Sequence, residues 1–423
     1  ANGALGEAAR GGHEAVAKLL LVHGADVAAA QNNGNTALTL AAAGGHEAVA
    51  KLLLVHGADV AAADGDGNTA LILAAGGGHE AVAKLLLDHR ADVAAAQNTG
   101  ATALTLAAGL GHGAVAKLLL DHRADIAPPD FDECALILAA RGGQEAVAKL
   151  LLDHRADVAA AQNDGATALM VAAVLGHEAV AKLLLVHGAD VAAAQNNGAT
   201  ALMVAAAGGH EAVAKLLLDH RADVAAAQNS GGTALMDAAR GGHGAVAKLL
   251  LHHHADMAAA DGDGNTALIL AARCGHEAVA KLLLDHCADV AAADNHGNTA
   301  LIFAAGRGHG AVAKLLLVHG ADVAAAQNAG VTALIGAAFY GHEAVAKLLL
   351  DHRADMAAAG GDGSTALILA AGGGHGAVAK LLLDHRADVA AADNDGNTAL
   401  ILAAGGGHEA VAKLLLDHRA DVA

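Results

Sequence analysis

The chain has 423 residues, with 25 basic and 44 acidic side chains, and its net charge of −19 repels phosphate backbones and argues against a nucleic-acid partner. With no Trp, one Tyr, three Phe and two Pro, the interior must be filled by Leu, Val and Ala. No apolar run approaches the roughly 18 residues of a membrane span, and three sparse cysteines, Cys134, Cys274 and Cys287, point to a reducing, cytoplasmic setting.

Residues 1–31 form an incomplete unit without an initiator Met or a visible leader, as expected of a processed chain or an excised fragment. Glu7 stands in the slot that Leu40 and Leu73 fill further on, and Arg10 follows close behind. A carboxylate there reads as a solvent-facing end cap. The next stretch, Asn32–Asp64, shows the complete unit. Asn33-Gly34 is a turn dipeptide whose residues both tolerate positive φ. Thr36 can cap a short helix, Ala37–Ala43, anchored by Leu38 and Leu40 and stopped by Gly44-Gly45. Glu47 suits the positive end of a second helix. Val49, Leu52 and Leu53 are its expected buried stripe, with Lys51 facing away. Gly57 ends that helix, and Ala58–Ala63 is predicted to run extended to the next turn.

The pattern then recurs. Leu52–Leu54 has counterparts beginning at Leu19, Leu85, Leu118, Leu150, Leu183, Leu216, Leu249, Leu282, Leu315, Leu348, Leu381 and Leu414, which makes 13 copies. The spacing is 33 residues except between Leu118 and Leu150, where it is 32. A fixed period of this kind marks a repeat array. We expect one array over 1–423, with eleven internal units across 32–393 and a C-terminal unit at 394–423. That last unit lacks an evident cap, because Ile401, Leu402 and Leu414 keep the internal pattern. The irregular unit is 131–162. Pro128-Pro129 precede it, Asp130-Phe131-Asp132-Glu133-Cys134 replaces the turn, and Gln144 replaces a recurring His. Proline removes ladder donors, so a local bend or fraying is expected.

Turn, helix, turn, helix and return segment resemble the ankyrin repeat along the whole chain, through G-x-T-A-L-x-L-A-A, G-H-E-A-V, L-L-L and A-D-V. The resemblance implies an all-α fold: an ankyrin-type α-solenoid with short β-hairpin fingers, curved and elongated, whose units are stable only when stacked. Two slots depart from the family. Its Pro and His after the capping Thr are here Ala37 and Thr39, or Ile72, Met170 and Ile401 in that second slot elsewhere, so hydrogen bonds through that His are absent. Its Gly before Ala-Asp survives only at Gly24, Gly57, Gly188 and Gly320. The slot is otherwise Arg90, Arg123, Arg155, Arg221, Arg353, Arg386, Arg419, His254 or Cys287. If it needs a left-handed backbone, each replacement costs about 1–2 kcal/mol. A cation at a helix C-terminus returns about 0.3–1 kcal/mol. Units lacking that Gly should be the weaker ones.

Two sets of positions vary between units. The fingertips are Asn33, Asp66, Thr99, Asp164, Asn197, Ser230, Asp263, His296, Asp362 and Asp395. The second set, on and just after the first helices, includes Leu110, Val174, Leu175, Arg240, Arg273, Phe303, Arg307, Phe339 and Tyr340. In ankyrin arrays such positions line a groove, so the resemblance implies a non-enzymatic scaffold that binds a protein partner there. Phe339, Tyr340, Arg273 and Arg307 are of the usual hot-spot types. Neutral drift at exposed sites explains the same variation. A different class of function is self-association through the uncapped C-terminal face or the flanks, which would generate filaments.

No catalytic, metal or cofactor constellation is expected. Of 28 histidines, twelve sit at Gly-His corners such as His46 and thirteen at helix ends such as His56, a repetition that reads as structural. His252-His253-His254 diverge on a helix. Asp64-x-Asp66-Gly67-Asn68 resembles a calcium loop, but Ala75 stands where the loop needs Glu. Gly65-x-Gly67-x-x-Ala70 has no buried strand before it. Ser230 and Ser364 belong to no nucleophile motif. Asp237, in an otherwise apolar slot, marks either a perturbed acid or a partly open position. If many histidines titrate near ~6.5, association should change near pH 6.

Overall fold

The computed structural model describes residues 2–126 and 134–421. Among them, 26 helices alternate between a short first helix and a nine-residue second helix. Isolated antiparallel bridges such as Ala30 to Thr36 are the only β structure among the described residues. The fold is thus all-α, as the resemblance implied.

Packing divides the residues into two compact units, Ala1–Asn196 with Asp219–Ala222, and Asn197–Leu218 with Asp223–Ala423. In the first, successive first helices pack side by side: Asn2–Arg10, Ala37–Ala43, Ala70–Gly76, Ala103–Leu110, Ala135–Arg141 and Ala168–Val174. The second repeats this from Ala201–Gly208 through Ala234–Gly241, Ala267–Cys274, Ala300–Gly306, Ala333–Phe339 and Ala366–Gly372 to Ala399–Gly405. Paired alanines allow the close approach. Ala41, Ala42, Ala304 and Ala305 are fully buried, where larger side chains would force the helices apart.

Local chemistry explains each boundary. Thr36 Oγ1 accepts from the Thr39 N–H at 3.3 Å, and Thr39 Oγ1 accepts from the Thr36 N–H at 2.9 Å, closing a capping box. Thr102 and Thr105 do the same. The slot that lost the family's His therefore gains a reciprocal cap where it holds Thr, and it buries Ile72 or Met170 elsewhere. In the finger, only Gly34 takes positive φ, at 83°; Asn33 does not. The Gly34 N–H donates to Gln31 O at 2.9 Å, and the Gln31 N–H to Asn35 O at 2.8 Å.

Two expectations need correction. The stripe of the second helix is Val49, Ala50 and Leu53, while Leu52 is only half-buried, so the first Leu of each triplet lies at the edge of the core. The return segment is not simply extended. Asp59 accepts from the Ala61 N–H at 2.9 Å and folds it into a turn. The expected left-handed slot is present: Arg90, Arg353 and Arg419, for example, have φ of 62°, 63° and 68°. Pro128, Pro129 and Phe131 lie outside the described residues, so the bend expected there is not described. The first helices on either side, Ala103–Leu110 and Ala135–Arg141, pack against each other. Cys134 occupies the cap position of the latter without a side-chain cap bond.

Candidate binding groove

The corner histidines set the backbone on which the variable positions stand. His276 Nε2 lies 3.0 Å from Arg240 O, His309 Nε2 3.2 Å from Arg273 O, His342 Nε2 3.2 Å from Gly306 O and His375 Nε2 2.9 Å from Phe339 O. A carbonyl only accepts, so Nε2 carries the proton in each ring. Each bond ties one unit to the closing turn of the first helix in the unit before. The same rings explain Gly-Gly-His. A Cβ on Gly242 would fall 2.5 Å from His276 Nδ1, and one on Gly341 2.5 Å from His375 Nδ1. That glycine reads in sequence as a helix stop. Its second duty, making room for a ring 34 residues away, is invisible until units are stacked.

In the second unit these turns surround an open cavity of about 450 Å³. Phe303, Arg307, Phe339 and Tyr340 line it, as does Asp362, so five of the variable positions converge. The cavity takes in three of the chain's four aromatic residues. Phe339 and Tyr340 meet edge to face, with centroids 4.8 Å apart, and both are more than half exposed. Tyr340 also stacks near His342 at 6.2 Å. The Arg273 guanidinium lies 5.7 Å from the centre of the Phe303 ring, a cation–π contact.

A residue that the sequence reading left out of the groove makes it possible. Gly336 occupies the first-helix slot that Leu270 fills with no exposure. A Cβ on Gly336 would first meet the Gly306 Cα, at 3.6 Å, and one on Gly306 would first meet the Tyr340 ring, at 3.8 Å. Two neighbouring units thus omit a side chain at one spot, and the aromatic rings stand around the gap. Gln327 and Val331 complete the finger side.

The other variable positions do not join this cavity. Leu110, Val174 and Leu175 are exposed in the first unit. Arg240 Nη1 pairs with Asp237 Oδ1 at 3.2 Å, and Gln228 Nε2 donates to the same carboxylate at 3.0 Å. The slot is half-buried at Leu73, Phe303 and Leu369, but Asp237 itself is buried, and burial pushes its carboxyl above the ordinary value while Arg240 pulls it back. The fingertips are exposed, and their carbonyls join adjacent fingers: the Gly65 N–H donates to Asn33 O, Asn98 to Asp66, Asn295 to Asp263 and Asn394 to Asp362. The calcium-like Asp64 carboxylate is occupied by the backbone N–H groups of Asp66 and Asn68. Among the described residues, no three His, Cys, Asp or Glu side chains are placed to hold a metal ion. No described helix is long and apolar enough to cross a membrane.

A family model for ankyrin repeats, in sets of three copies, matches residues 2–64, 55–130, 127–195, 190–261, 255–327, 296–359 and 334–423. The chain belongs to the ankyrin repeat family. No match is found among curated proteins. Ankyrin repeats are general protein–protein interaction modules. In this ankyrin chain, stacking is carried by Ala, Leu and His that recur in nearly every unit, whereas the aromatic wall and the gap of the cavity, Phe303, Gly336, Phe339 and Tyr340, are departures from the repeat.

Proposed function

We propose that this protein is a non-enzymatic scaffold that binds a protein partner in the groove around Phe303, Gly336, Phe339 and Tyr340. The observation that carries this reading is the gathering of three of four aromatic residues around one gap. Half-exposed aromatic side chains beside Arg are what interface hot spots are made of. Selection of binders from a displayed library tests it. Binders should lose at least about tenfold in affinity to Gly336→Leu or to Tyr340→Ala, a loss of the size expected for a hot spot. A panel of binders indifferent to both substitutions would overturn the reading.

A second reading is association between copies. Ile401 and Leu416 are about half exposed, whereas their counterparts Ile368 and Leu383 are covered. Sedimentation velocity across a concentration series separates the two readings: growth of mass with concentration favours association, and constant monomer mass excludes it.

A further inference from the structure

We propose that the groove selects an extended peptide segment with one large apolar anchor and carboxylates on one side of it. This rests on the reading of the groove as a protein-binding surface and adds the chemistry of the occupant. The anchor follows from the gap above Gly336 and Gly306, whose volume falls within the ~300–1,000 Å³ usual for ligand pockets. An interior glycine destabilises a helix relative to Ala, and Gly336 also forgoes the burial that a Leu would gain there. A side chain supplied by the partner would recover that burial.

The carboxylates follow from the charges around the gap. All 13 lysines occupy one recurring slot of the second helices, so the first-helix layer of this unit has only Arg240, Arg273 and Arg307 as Lys or Arg cations. Asp237 neutralises Arg240. Arg273 and Arg307 pair with no carboxylate among the described residues. Arg307 is exposed at the rim, and Arg273 is held over Phe303. On the finger side stands a carboxylate, Asp362, fixed by the Ser364 N–H at 2.9 Å and the Ser364 hydroxyl at 3.0 Å. The groove is therefore polarised, with cations towards the preceding units and an anion across from them. In a molecule of net charge −19, an acidic segment is attracted here and repelled over most of the remaining surface, and that contrast is what confers specificity.

Spacing sets the pattern. Helix layers repeat at roughly 8–10 Å, and an extended peptide advances ~3.3 Å per residue, which gives about three residues per unit. A carboxylate about three residues from the anchor would meet Arg307. One about six residues away would meet Arg273.

Fluorescence anisotropy with rhodamine-labelled peptides tests this. Each peptide carries a central Leu-Phe, flanked at the third and sixth positions on one side by Glu, Gln or Lys, in both chain directions. In at least one direction, the Glu peptide should bind about tenfold more tightly than the Gln peptide, and the Lys peptide more weakly still, with the preference shrinking as salt rises. Arg273→Glu with Arg307→Glu should reverse the order, and Gly336→Leu should abolish binding of all peptides, with circular dichroism unchanged. Equal binding of the three, abolished by Gly336→Leu, would overturn the acidic preference and leave the groove reading standing. No binding, or binding indifferent to Gly336→Leu, would overturn both.

Discussion

Asp237 shows what one substitution does in a repeated context. Its slot holds Leu40 and Leu270 in other units, both buried, and Leu73 and Leu369, both half-buried, so the packing of each unit decides how far the position is covered, and at Asp237 it is covered. Burial raises the carboxyl pKa, with Arg240 countering. An acid whose folded pKa lies above its unfolded value favours folding most when protonated. That contribution is complete below the unfolded pKa, near ~3.9, and is lost as pH rises through the folded value. At neutral pH the second unit therefore carries a net penalty. Asp237→Leu should stabilise the protein by about 1–3 kcal/mol at pH 7, as replacement of buried ion pairs by apolar groups often does. The gain should shrink in acid. Urea denaturation at pH 7 and pH 4 measures both. The finger Asn side chains vary by the same logic. Asn68 Oδ1 accepts from the Gln97 amide of the next finger, whereas Asn265 Oδ1 has no partner, because the next finger offers Asp294 in that slot.

At the scale of an element, most first helices start on a side-chain cap. Thr hydroxyls accept from the N–H three residues on in helix after helix, as at Thr69, Thr233 and Thr365. Cys134 breaks that series, since its buried thiol makes no cap bond. Cys134→Thr should add about 1 kcal/mol, the usual worth of a cap, and thermal unfolding would report it. The caps, the stopping glycines and the stripe were legible because they are contacts between residues close in sequence. The turn at Asp59 was missed because Asp-Val-Ala-Ala looks like an extended return unless the Asp side chain is allowed to bond its own backbone. Val49 and Leu53 were read correctly, whereas Leu52 lies at the edge of the core, because spacings of three and four both satisfy a helix and only the neighbouring helix decides between them.

Over the whole molecule, stability is a sum of unit terms and nearest-neighbour terms. The left-handed slot before Ala-Asp tunes the unit terms. Arg353 at φ 63° carries strain that Gly320 at φ 86° does not. Amide exchange should be slower in helix Gly310–Val318, which precedes Gly320, than in Glu343–Asp351, which precedes Arg353. Arg353→Gly should raise protection of the latter by about 1 kcal/mol. Equal exchange in the two helices, unmoved by the substitution, would contradict this.

The period of 33, the helix pairs, their caps and the glycine corners follow from sequence alone, because each is a local rule written many times over and repetition averages out the exceptions. The candidate anchors were visible too, as departures from the repeat. Tertiary structure decided which departures meet. Phe303 and Gly306 belong to one unit and Gly336 and Tyr340 to the next, and a missing side chain becomes a cavity only when the residues facing it also leave it empty. The histidine bonds came late for the same reason: each joins atoms 36 residues apart, a distance that stacking closes and that no local rule records.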